Sequence, residues 1–185
     1  MTFDFPKFIG EAARRGLRFL LIGGYAVSAH GYSRRTFDVD FLICHDQSEV
    51  WQELLRSLGY GCIHEQSAFM QFAATPPGGP PIDLMRVSRE TFDKLFAASE
   101  TRPIGGTETR VPALLHLIAL KLHAAKDAAP HRRYKDLIDI FYLVDANRVD
   151  VSSASFREVC QQYGTDELYE EILKATRRTR PPGGA

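Results

Sequence analysis

Apolar positions along the chain follow two rhythms that exchange near residue 110. Before it, short apolar runs are broken by glycine and proline; after it, the spacing is that of successive helices. Residues 6–15 have helical spacing and stop at Gly16. LRFLLI (17–22) is an apolar run closed by Gly23-Gly24, as a buried strand entering a tight turn would be, and YAVSAHG (25–31) predicts a short helix. TFDVDFLI (36–43) alternates strictly, with Phe37, Val39, Phe41 and Ile43 on one face and Thr36, Asp38, Asp40 and Leu42 on the other. A helix is expected over 47–59 with Asp46 as its cap. Strands follow at 67–75 and 81–87, joined by PPGGP, then a helix at 89–99 and a hairpin at 100–111 with Gly105-Gly106 at its tip. Helices at 112–128, 134–146, 153–163 and 166–178 complete the pattern.

The expected class is α/β (α+β): a mixed β-sheet core flanked by helices, with a small C-terminal helical part. The expected division is a core over 1–110, a helical region over 111–178 and a disordered tail over 179–185. No internal repeat is present. A length of 185 residues and a hydrophobic content of 44% suit one domain, or a domain with a helical appendage, and exclude a disordered chain. Zero formal net charge gives no overall basic field to attract nucleic acid. Cys44, Cys62 and Cys160 lack metal-site spacing and are odd in number, which reads as reduced thiols and a cytoplasmic location. Neither a secretory signal nor a membrane-spanning run is expected.

Against this background Asp38 and Asp40 stand out, because an unpaired carboxylate inside a buried strand is costly. Two apart on a strand, both project to the same side. A divalent cation would relieve their repulsion, and magnesium favours oxygen ligands, commonly one or two carboxylates with substrate phosphates. Taken alone, the pair reads first as a solvated strand face. The glycine pair changes the weight, since Gly-Gly between a strand and a helix lets backbone approach a ligand and places a helix start beside it. Asp83, flanked by Ile82 and Leu84, supplies a third carboxylate if its strand lies beside the first pair. Three acids can hold two metals in phosphoryl-type chemistry; the plainer role for Asp83 is a charge that protects a strand edge.

The order strand, Gly-Gly, helix and Asp-x-Asp in GGYAVSAHGYSRRTFDVDFLI resembles the signature of the DNA polymerase beta-like nucleotidyltransferase superfamily. The R-x-T-x-D-x-D form, from Arg34 to Asp40, is similar to its AbiEii-type abortive-infection toxin group. VPALLHLIALKLHAAKDAAPHRRYKDLIDIFYL resembles that group's lysine helix and following acidic helix. The resemblance implies Mg²⁺-dependent transfer of a nucleoside monophosphate from an NTP to an acceptor hydroxyl, with a two-metal site on Asp38, Asp40 and Asp83. It implies that Gly23, Gly24, Arg35 and Thr36 contact the nucleotide, that Lys121 engages its phosphates, and that Asp136 is the downstream acid, with Asp139 an alternative one turn later. The acceptor stays open among tRNA, a protein side chain and a small molecule, and the resemblance leans towards a toxin–antitoxin or phage-defence setting with a cognate antitoxin; the helical region is shorter than in several toxin-type members.

The plainer readings are these. Lys121 lies near the margin of a face shared by His116, Leu117, Leu120 and Ala124, where a lysine is ordinarily solvated. Arg34 and Arg35 pair with the acids rather than with phosphate. Asp136 and Asp139 share a helix face and serve as partners for Arg132 and Arg133. From Lys121 to Lys135 five basic residues face one acidic residue, a stretch suited either to a phosphate backbone or to solvent. Phe141 and Tyr142 read as core. A non-catalytic nucleotide-binding module and a small-molecule (antibiotic) adenylyltransferase stand as alternatives to the toxin-type enzyme.

Overall fold

A computed structural model describes residues 3–179. Two compact units divide them: one runs up to Ala29 and resumes over Arg34–Ala113, and the other comprises His30–Ser33 and the chain from Leu114 onward.

The first unit is built on a five-stranded mixed sheet. In chain order it carries α1 (Phe5–Arg14), β1 (Phe19–Leu21), α2 (Gly23–Ala29), β2 (Val39–Cys44), α3 (Ser48–Ser57), β3 (Tyr60–Gln66), β4 (Phe69–Ala74), β5 (Ile82–Val87), α4 (Arg89–Ala97), β6 (Glu100–Ile104) and β7 (Thr107–Val111). The sheet order is β1-β2-β5-β4-β3; β6 and β7 form a separate hairpin. β2 and β5 run parallel at the centre, and the other neighbours are antiparallel. Period-two patterning sends Val39, Phe41, Ile82, Leu84, Met70 and Phe72 to one face, all buried. Phe8 of α1 and Trp51 of α3 cover this face. Phe8 stacks on Phe41 at 4.7 Å between ring centroids, and Phe19 meets Phe41 edge-on at 5.1 Å. Each buried aromatic contributes about 1.5–3 kcal/mol of transfer free energy, so this cluster anchors the strand that carries the acids.

Several expectations are corrected. The strand over 36–43 starts only at Val39, and Phe37, expected inside, is 70% exposed with the Arg35 guanidinium 4.9 Å from its ring centroid. Asp46 does not cap α3; it sits in a short 3₁₀ turn and pairs with Arg89 Nε at 3.0 Å. β3 was not anticipated, because nearly all of its residues face solvent at the sheet edge and show no alternation.

The second unit packs four helices: α5 (Leu114–Lys126), α6 (Pro130–Ala146), α7 (Ala154–Tyr163) and α8 (Asp166–Thr179). Pro130 opens α6, where its missing N–H costs nothing, and the Ser153 hydroxyl accepts from Phe156 N to cap α7. Thr179, expected in the tail, ends α8; residues 180–185 lie outside the described residues. Tyr142 is half exposed and stacks on Tyr32 at 4.0 Å, and Phe141 is only partly buried, so neither is the core residue expected. Among the described residues no helix is long and apolar enough to cross a membrane.

All three cysteines are free. Burial pushes the Cys160 thiol up to about 12, whereas Cys62 is exposed on β3. A neutral thiol is a poor nucleophile, so a maleimide at pH 7.5 should label Cys62 in the native protein and reach Cys160 only after denaturation. Mass spectrometry of the labelled peptides checks this.

Candidate active site

Strand register brings the acids together. Asp40 of β2 lies directly opposite Asp83 of β5 in the parallel pair, so both side chains leave the sheet on the face away from Phe41 and Leu84. Asp38 precedes β2 and is not held by strand alternation. Instead the Thr36 hydroxyl donates to Asp38 Oδ1 at 2.7 Å. One carboxylate oxygen from each of Asp38, Asp40 and Asp83 lies within 4.8 Å of the others, and all three residues are half-buried.

The glycine turn abuts these acids. Ile22 N donates to Asp40 O at 2.9 Å, which continues the β1–β2 ladder to the edge of the turn. Gly23 has φ +59°, a left-handed conformation that favours glycine, and a Cβ there would overlap the Asp40 carboxylate. At Gly24 a Cβ would collide with the Thr36 side chain, so the missing side chain lets the Asp38 loop close on α2. Gly23→Ala should therefore destabilise the fold by about 1–3 kcal/mol through backbone strain alone and displace Asp40. Thermal melting and divalent-cation binding, measured together, check this; an alanine variant identical to wild type in both would contradict it.

Gln71 bonds one of the acids, and Tyr25 lies within the field of another. Gln71 of β4, the register partner of Asp83, donates from Nε2 to Asp83 Oδ1 at 3.0 Å. Tyr25 of α2 packs edge-on against Phe5, with ring centroids 5.0 Å apart. Burial, and then the negative charge of Asp38, push its phenol above the ordinary value. Neither was singled out from sequence; the signal for Gln71 was a lone polar position on the half-exposed face of FMQFAA.

Arg35 is exposed beside Phe37. Arg34 Nη1 donates to Arg35 O at 3.3 Å and lies near Gly24. Lys121 and Asp136 belong to the helical unit. Lys121 is buried rather than marginal, and its Nζ lies 2.8 Å from both Asp136 Oδ1 and Asp139 Oδ2. Burial pushes its ammonium down, but the charges and hydrogen bonds of Asp136 and Asp139 outweigh that and raise it overall. Arg133, expected beside these acids, pairs with Glu171 at 2.6 Å.

The five-stranded mixed sheet flanked by helices is similar to nucleotidyltransferase folds. A family model described as uncharacterised nucleotidyltransferase matches residues 4–181, and the chain belongs to that family of transferase enzymes. No curated protein sequence matches. Among solved structures, the antibiotic-resistance factor ANT(2'')-Ia is similar at 17% identity and TM-score 0.52, covering 94% of this chain and 89% of that one. The lincosamide antibiotic adenylyltransferase LnuA, bound to lincomycin, is similar at 14% identity and TM-score 0.55, covering 77% and 96%. An antigenic nucleotidyltransferase-like protein from Paracoccidioides brasiliensis is similar at 16% identity and TM-score 0.53, covering 93% and 84%. These likenesses establish the fold.

Proposed function

We propose that the protein transfers a nucleoside monophosphate from an NTP to an acceptor hydroxyl, with Mg²⁺ held by Asp38, Asp40 and Asp83. The convergence of these three carboxylates beside Gly23 carries the reading. The donor set fits a hard divalent cation: all ligands are oxygens, and partial exposure lets an ion keep waters and meet phosphate. When bound, the metal ions would neutralise phosphate charge and activate the attacking oxygen.

The chain's own residues supply position. Thr36 fixes Asp38, the β2–β5 register fixes Asp40 against Asp83, and the Gly23-Gly24 turn, free of side chains, lets Asp40 and Thr36 pack close against the start of α2. Arg35, exposed just before Asp38, supplies a guanidinium for phosphate. Asp83, held from one side by Gln71, is the carboxylate assigned to the acceptor hydroxyl as base. Lys121 and Asp136 remain in the proposal as the resemblance assigns them, a lysine for phosphate and the downstream acid. The transfer is then mainly positioning and charge neutralisation, as in other phosphoryl-type reactions.

For the acceptor, fold likeness to two antibiotic-directed proteins, one in complex with adenylyl-2''-tobramycin, supports a small hydroxylated molecule. The sequence resemblance to the AbiEii-type group supports tRNA and a toxin–antitoxin setting instead. Incubating the protein with each of four α-labelled NTPs, Mg²⁺ and separate tRNA, protein and small-molecule pools tests both. Label is expected in one pool and lost with EDTA. Binding of Mg–NTP without incorporation in any pool would favour a non-catalytic nucleotide-binding module.

A further inference from the structure

We infer that Gln71 is a positioning residue for the metal site, acting through Asp83; the inference rests on the metal reading above. Gln71, Asp83 and Asp40 occupy one row across three adjacent strands, Gln71 opposite Asp83 in the antiparallel pair and Asp83 opposite Asp40 in the parallel one. Residues in register project to the same face, so the amide stands beside the acids by construction of the sheet.

The row is rigid at the Gln71 end. Its sequence neighbours Met70 and Phe72 are buried in the opposite face, which fixes the Cα–Cβ direction of Gln71. From that base Nε2 donates to Asp83 Oδ1 at 3.0 Å. A carboxylate offers two oxygens, and this bond engages one of them. The consequence is directional: the bond restricts rotation of the Asp83 carboxylate and so holds it in the orientation in which it converges with Asp38 and Asp40. An amide is suited to this task because it donates without adding charge. A lysine there would neutralise Asp83, and a further acid would increase repulsion among the three. Partners that orient a ligand in this way are typically worth about 10–100-fold in metal affinity.

The plainer role is a hydrogen bond that merely satisfies the sheet face. It is separated from positioning by Mn²⁺ binding followed by electron paramagnetic resonance on the full chain without NTP. Gln71→Met, of similar length but without a donor, should weaken Mn²⁺ binding about tenfold or more, with metal-free thermal stability little changed. In an Asp83→Asn background the same substitution should change Mn²⁺ affinity by less than twofold, because the carboxylate it orients is gone. Gln71→Thr, a strand-favouring residue too short to reach Asp83, repeats the test if methionine disturbs folding. Equal Mn²⁺ affinity in wild type and both Gln71 variants overturns the inference while leaving the metal reading intact. Absence of Mn²⁺ binding by wild type, or retention by Asp83→Asn at wild-type strength, overturns the metal reading and the inference with it.

Discussion

Asp40→Asn is expected to lower nucleotide transfer by about a thousandfold or more, equivalent to ~4 kcal/mol of transition-state stabilisation, while the protein stays folded. The two halves of this expectation have separate causes. The place of Asp40 in the sheet depends on its peptide group: Ile22 N donates to its carbonyl at 2.9 Å, and its neighbours Val39 and Phe41 are the buried residues. Asparagine keeps the backbone and nearly the same shape. It removes one of three negative charges that share a small volume, which relieves repulsion in the metal-free protein. The metal-free melting temperature should therefore be unchanged or slightly higher. What is lost is a charged ligand for the cation, and with it charge neutralisation on the phosphates. Single-turnover transfer and thermal melting on the same preparation check both halves. A variant that unfolds, or one that transfers at the wild-type rate, contradicts the assignment.

Lys121→Met should cost about 3–5 kcal/mol of stability, the usual penalty for removing one partner from a buried ion pair. Lys121 is 9% exposed, Asp136 6% and Asp139 0%, so without the ammonium two carboxylates are left deep in the helical unit. Methionine fills the volume of the lysine stem, which separates loss of charge from loss of packing. Replacing both acids by asparagine in the same chain should recover most of the loss, and chemical denaturation measures it. The pH dependence has a defined sign. The folded pKa of Lys121 is raised above its ordinary value, so its contribution is complete below about pH 10 and fades as pH climbs through the raised folded value. Lys121→Met should therefore flatten the alkaline arm of the stability profile. In the recovered triple variant the KM for NTP should rise if the lysine also meets phosphate. An unchanged KM would confine Lys121 to holding the helices together.

The acids were legible because they broke a rule. Asp38, Asp40 and Asp83 are charges inside apolar runs, and Gly23-Gly24 is a turn where a strand had just ended. The alternation that drew attention to Asp38 nevertheless stops short of it. β2 begins at Val39, and the Thr36 hydroxyl rather than the pleat aims Asp38. That is also why Phe37 faces solvent: its place in the alternating pattern had no strand beneath it. β3 stayed hidden because an edge strand exposed on both sides has no hydrophobic period to read. Lys121 was misplaced for the opposite reason. A lysine among leucines looks marginal until two acids a helix away are known to neutralise it, and that partnership exists only in three dimensions. Gln71 is similar, since its meaning comes from a register partner twelve residues further along the chain.

The most direct measurement is anomalous X-ray diffraction from crystals grown with Mn²⁺ and a non-hydrolysable NTP analogue. Manganese density on the carboxylates of Asp38, Asp40 and Asp83, with the triphosphate against Gly23 and Gly24, is the expected result. Manganese bound elsewhere, with those three acids bridged only to protein groups, would contradict it.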